Sequence, residues 1–85
     1  MPPEVLEAVV RPLTFGEKAV GINFNPGGHN EVEKVKRMFA DIIDVCNDSR
    51  NNVSAGGDVK RMYSEAITNA QTAQMWAVKA ITWKE

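Results

Sequence analysis

Asn30-Glu31-Val32-Glu33-Lys34-Val35-Lys36-Arg37-Met38-Phe39-Ala40-Asp41-Ile42-Ile43-Asp44-Val45-Cys46 is the stretch that decides the fold. Its apolar positions Val32, Val35, Met38, Phe39, Ile42, Ile43 and Cys46 recur at intervals of three and four, the spacing of a helical stripe turned towards a partner helix. Asn30 followed by Glu33 is a capping signature, so the helix is expected to open at about residue 31. It should fade between Asn47 and Asn51, where side chains that compete for backbone hydrogen bonds accumulate. Ser54-Ala55-Gly56-Gly57 reads as a flexible connection, and Asp58 as the N-cap of a second long helix running to about Thr82 without Gly or Pro. That helix carries a ridge of small side chains, Ala66, Ala70, Ala73, Ala77 and Ala80, which lets another helix approach closely. Met75, Trp76, Val78, Ile81 and Trp83 make its last third apolar on more than one side, and a two-helix hairpin cannot cover such a surface.

Working back towards the N-terminus, Thr14-Phe15-Gly16-Glu17 is a capping box and Gly21 a natural C-terminal stop, which predicts a short helix over residues 15–20. Pro3, with Val5, Leu6, Val9 and Val10 at helical spacing, predicts another short helix that Pro12 ends. Between Gly21 and Gly28 the chain reads as an extended arm and a turn. Asn25 is biased to an extended conformation by Pro26, and Gly27-Gly28 permits positive φ. The fold class is therefore all-α, a single domain over residues 1–85. An N-terminal part of short helices and arm (1–23) precedes a long antiparallel hairpin of residues 30–50 and 58–83.

Size and composition narrow the function. A chain of 85 residues buries only roughly 60–65% of its unfolded surface, so a lone monomer is marginal and needs a staple. Cys46 is the single cysteine, which excludes an internal disulfide. His29 and Cys46 supply two of the four ligands a structural zinc requires, so neither metal nor cofactor is expected. Self-association remains, and a homo-oligomer joined through the C-terminal helix is the expectation. A net charge of −1 argues against a dedicated duplex-binding protein. No stretch approaches the ~20 apolar residues of a membrane span, the N-terminus lacks a basic signal region, and a lone cysteine fits a reducing compartment. A cytoplasmic protein is expected.

Catalytic chemistry finds little support. There is one His, no Glu-x-x-His pair and no nucleophile elbow, and no catalytic residue is assigned. Asp41 and Asp44 share a helix face and read as a solvated acidic surface; Cys46 continues the apolar stripe as a packed thiol. What most resembles a site is Phe24-Asn25-Pro26-Gly27-Gly28 leading into a helix with Lys34, Lys36 and Arg37. It is no P-loop, because Gly-Lys-Ser/Thr is missing, but glycine-turn N–H groups and a helix dipole favour an anion. Glu31 and Glu33 already occupy that positive end, which moves the phosphate partner inward to Lys36 or Arg37. Phe24 reads either as a hydrophobic staple on the helix or as a platform for a stacked base. His29 reads as exposed. Arg61, a cation opposing the dipole at the start of the last helix, fits either solvated surface or a ligand contact. Trp76 and Trp83 read as core or interface anchors.

Three motifs in this order are familiar: Thr14-Phe15-Gly16-Glu17-Lys18-Ala19-Val20-Gly21, Phe24-Asn25-Pro26-Gly27-Gly28 with Val32 and Val35-Lys36, and Met75-Trp76-Ala77-Val78-Lys79-Ala80. Over residues 14–84 the chain resembles the small phage anti-CBASS proteins that act as sponges for cyclic oligonucleotides. The resemblance implies a helical hairpin assembled as a compact homo-hexamer in the host cytoplasm. Cyclic dinucleotides would bind between interlocked protomers and, in some relatives, cyclic trinucleotides in separate pockets among three protomers. No bond is made or broken, and the CBASS effector is starved of its messenger. The implied ligands are 3′,3′-cyclic dinucleotides and, as a second class, cyclic triadenylate.

Carried over by motif, Phe24 stacks on a base, Asn25 and Pro26 shape the pocket, and Lys36 meets the phosphate. The shorter helix entry in this chain keeps Arg37 open beside Lys36. Gly28, His29 and Arg61 are the residues implied for a trinucleotide site. Some relatives have tyrosine where Phe24 stands, which removes a phenol contact, and Gly27 replaces a common serine. A helical scaffold binding a host or phage protein through Met75, Trp76 and Trp83 is the competing expectation, and a small DNA-binding regulator a third.

Overall fold

The computed structural model describes residues 11–52 and 54–85. The short helix expected from Pro3 to Val10 lies outside the described residues. Three helices follow in chain order: α1 (Phe15–Val20), α2 (Asn30–Arg50) and α3 (Gly57–Ile81). The architecture is all-α, a short helix and then two long helices packed as a hairpin.

The termini of α1 form as the sequence predicts. The Thr14 hydroxyl accepts from the Glu17 N–H at 3.1 Å, and the Glu17 carboxylate accepts from the Thr14 N–H at 2.8 Å, a complete capping box. Gly21 ends the helix at φ 63°, a left-handed conformation with no Cβ penalty. The N–H groups of Gly21 and Ile22 then satisfy the carbonyls of Lys18 and Glu17.

Two caps differ from expectation. Asn30 occupies the first helical position of α2, and His29 is the N-cap, without a side-chain cap bond. The reason lies upstream. The Asn25 side chain accepts from the His29 N–H at 3.2 Å and donates to the His29 carbonyl at 2.9 Å, fixing the entry one residue earlier. In α3 the N-cap is Gly56, so Asp58 sits in the first turn, where its charge complements the helix dipole.

Helix α2 runs through Asn47-Asp48-Ser49 and ends at Arg50, within the stretch where the sequence predicts it to fade. The Arg50 guanidinium donates to Asn47 and to Ser64 on α3 and lies 5.5 Å from the centroid of the Phe15 ring, tying that last turn to both other helices.

The core is small. Val20, Ala40, Ile43 and Ile67 are buried, with Ala19, Ile22, Phe39, Cys46 and Ala70 packed around them. α1 lies tightly on α2 because residue 16 has no side chain: a Cβ there would stand 2.1 Å from the Ala40 carbonyl oxygen. The Gly16 N–H donates to Asp44 at 2.7 Å, and Asp41 pairs with Arg37 at 2.9 Å. Asp44 is therefore not the solvated surface expected of it, whereas Asp41 is exposed, as expected. Only part of the α2 stripe is used internally. Val32 and Ile43 are buried, whereas Met38, Ile42 and Val45 face solvent at helical spacing. Met75 and Trp76 on α3 and Trp83 just beyond it are exposed, the two tryptophans at 65% and 61%, which removes the core reading of both. Among the described residues, no helix is long and apolar enough to cross a membrane.

Candidate ligand-binding cleft

The arm between α1 and α2 is held by one buried cation. Lys36, 4% exposed on α2, donates to the Gly21 carbonyl at 2.8 Å and to the Phe24 carbonyl. Burial pushes its ammonium below the ordinary lysine pKa. An ammonium has three N–H donors, so one is left. Its nitrogen lies 5.5 Å from the centroid of the Phe24 ring, within range of a cation–π contact. Phe24 is 72% exposed, so it is not the buried staple of the first reading. The ring is a platform above a fixed positive charge.

Pro26 sits at the second position of a turn that the Gly28 N–H closes onto the Asn25 carbonyl at 3.0 Å. Gly28 then takes φ 64° to redirect the chain into α2. Phe24, Asn25, Pro26 and Lys36 thereby line one cleft of about 280 Å³, together with His29 and Val32. Its far wall comes from the end of α3: Val78, Thr82 and Lys84. None of these three stood out in the sequence as a site residue. The antiparallel hairpin brings them there, by pairing the start of α2 with the end of α3. At about 280 Å³ the cleft lies at the lower edge of the ~300–1,000 Å³ typical of small-molecule sites.

Arg37 points elsewhere. It borders a larger hollow of about 570 Å³ on the other side of the arm, with Asn23, Asn30, Glu33 and Lys34. Its guanidinium is engaged by Glu17 at 2.7 Å and by Asp41 at 2.9 Å. Glu17 is the centre of this network, 2% exposed and accepting from Arg11 at 3.0 and 3.1 Å, from Arg37 and from the Thr14 N–H. These four bonds fill the acceptor capacity of a carboxylate. Hydrogen bonds from Arg11 first, then Arg37 and the Thr14 N–H, hold its pKa far below the ordinary range. The larger hollow therefore contains a committed arginine, the exposed Lys34 and the Glu33 carboxylate, and it lacks the aromatic ring of the Phe24 cleft.

Gly28 and His29 adjoin the Phe24 cleft, but Arg61 does not. It is exposed in the second turn of α3, at the opposite end of the hairpin. Seventeen residues separate it from Val78, about 26 Å of helix at 1.5 Å per residue. One protomer does not bring Gly28, His29 and Arg61 together. Among the described residues, no cluster of three or more His, Cys, Asp or Glu side chains could hold a metal ion.

Fold and cleft define a small helical hairpin that sets an exposed aromatic ring beside a buried cation. Residues 17–82 match the model of the Acb2/Tad1 hairpin domain, and the chain belongs to that family, the phage anti-CBASS and anti-Thoeris cyclic nucleotide sponges. The family is non-catalytic. Among curated proteins and solved structures, none matches the chain.

Proposed function

We propose that the protein binds and sequesters cyclic oligonucleotide second messengers, 3′,3′-cyclic dinucleotides foremost, without cleaving them. In the host cytoplasm this would block CBASS immunity. The observation that carries the reading is the exposed Phe24 ring over the buried Lys36 ammonium, in a chain of the Acb2/Tad1 family. In this reading Phe24 stacks on a base, Asn25 and Pro26 set the shape of the arm, and the remaining Lys36 N–H meets a phosphate. Arg37, committed to Glu17 and Asp41, is the weaker candidate.

A homo-hexamer is part of the proposal. The small cleft and the uncovered Met38, Ile42, Val45, Trp76 and Trp83 support closure of the site by a second protomer. A cyclic trinucleotide site using Gly28, His29 and Arg61 would draw them from different protomers.

Calorimetric titration with a panel of 3′,3′-cyclic dinucleotides and cyclic triadenylate tests the reading. Binding is expected, with intact nucleotide recovered after denaturation of the complex. Failure to bind any member of the panel at micromolar protein overturns it. Exposure of Trp76 and Trp83 favours a second reading, a scaffold for another protein. Light scattering separates the two, since a hexamer with quenched, protected tryptophans leaves no such surface, whereas a monomer with solvent-exposed tryptophans favours the scaffold.

A further inference from the structure

Much of the hydrogen-bonding capacity of the Phe24 cleft is already committed, the His29 imidazole aside. The Asn25 side chain is engaged by both backbone groups of His29, through its oxygen at 3.2 Å and its amide at 2.9 Å. The Thr82 hydroxyl donates to the Val78 carbonyl at 2.8 Å, so its proton is not free for an anion. Lys36 has two of its three N–H groups on carbonyls. No carboxylate lines the cleft. Lys84, on the wall opposite Phe24, is exposed, and no ion pair engages its ammonium among the described residues.

A cyclic dinucleotide carries two phosphodiesters, each with one negative charge at neutral pH. The single N–H left on Lys36 can serve one of them from beneath the stacked base. The second needs another cation, and Lys84 is the other lysine lining the cleft. We infer that Lys84 is a second phosphate-binding residue of this site, reaching across the cleft from beyond α3 to meet the charge that Lys36 leaves unpaired. The assignment rests on the proposed cyclic-dinucleotide reading and extends it to a residue of the opposite wall.

Lysine suits the position. Its point charge on a flexible stem closes over a ligand without requiring the planar fork of arginine. An exposed lysine also makes affinity depend on ionic strength, since screening acts fully on solvated charges.

The test is titration of the full chain and of Lys84→Gln and Lys84→Arg with 3′,3′-cyclic dinucleotides at 50 and 200 mM salt. Lys84→Gln is expected to bind about tenfold more weakly at the lower salt, the size of one charge-assisted hydrogen bond. Its affinity should also fall less steeply with salt than that of wild type. Lys84→Arg should restore both, and the melting temperatures of all three should agree. Wild-type affinity and salt dependence in Lys84→Gln would overturn the assignment while leaving the sponge reading intact. Absence of binding by wild type itself would instead remove the reading on which the assignment rests.

Discussion

Replacing Gly16 by alanine adds one methyl group at the tightest contact between α1 and α2. The new Cβ would lie 2.1 Å from the Ala40 carbonyl oxygen and 2.9 Å from the Asp44 carboxyl carbon. The first of these is backbone in the middle of α2 and cannot swing aside. α1 must retreat by at least about 1.3 Å to reach ordinary van der Waals separation. The 2.7 Å bond from Gly16 N–H to Asp44 would then stretch past the roughly 3.2 Å limit of a useful bond. Overpacking costs about 1–3 kcal/mol, and the lost bond to a charged acceptor about 1.5–3 kcal/mol. Alanine returns about 1 kcal/mol through helix propensity. The net loss is about 1.5–5 kcal/mol, which in a domain of this size is roughly 6–40 °C in melting temperature. Thermal unfolding followed by circular dichroism at a fixed protomer concentration measures it, with Lys18→Ala on the exposed side of α1 as the control. The effect should extend to ligand binding, because the Gly21 and Phe24 carbonyls that grip Lys36 hang from the C-terminal end of α1. A Gly16→Ala protein that melts within about 2 °C of wild type would refute the close-packing argument.

Phe24→Ala should weaken cyclic-dinucleotide binding by about 1–3 kcal/mol, the worth of one base–aromatic stack, yet leave melting and assembly unchanged because the ring is exposed. Calorimetry beside light scattering checks both halves, and unchanged affinity would dismiss the platform. Glu17→Gln tests the buried network through pH. The folded carboxyl titrates below its ordinary value of 4.5, so between the two values the unfolded chain binds more protons and the native state loses stability as acid is added. The stabilisation is complete above about pH 4.5 and declines below it, so the melting gap between wild type and Glu17→Gln should narrow there. A gap constant from pH 6 to pH 3 would refute the assignment of Glu17 as the charged centre.

The helices were legible because their signals are local. Thr14 and Glu17 find each other three residues apart, Gly21 stops α1 by its own φ, and the apolar spacing of α2 needs no knowledge of α3. The reading failed where a side chain acts at longer range. Asn25 captures His29 and so sets the start of α2, which no window beginning at Asn30 can reveal. Asp44 looked like surface because its partner, the Gly16 N–H, lies 28 residues away. In the same way, Lys36 and Arg37 are equivalent as a basic pair in sequence. The rotation of α2 makes them different, turning Lys36 under the arm and Arg37 outward to Glu17. Gly16 was legible only as part of a capping box, and its lack of a Cβ gains meaning only with Ala40 in place.

Lys36 also explains why this arm can present an aromatic ring without burying it. An exposed Phe24 contributes little to the core, so the stretch from Gly21 to Gly28 needs another source of order. Two carbonyl bonds to a buried ammonium supply it, and the Asn25 clamp on His29 fixes the other end. The platform is thus held before any ligand arrives, which lowers the ordering cost of binding. The same device leaves the ammonium with one N–H not engaged by a backbone carbonyl, in a small cleft open to solvent. The unfinished pocket and the unburied apolar faces of α2 and α3 are two sides of one shortage: this chain does not supply enough surface to complete either. In the proposed hexamer one neighbouring protomer remedies both, so assembly and ligand affinity would be linked, each raising the apparent stability of the other by mass action.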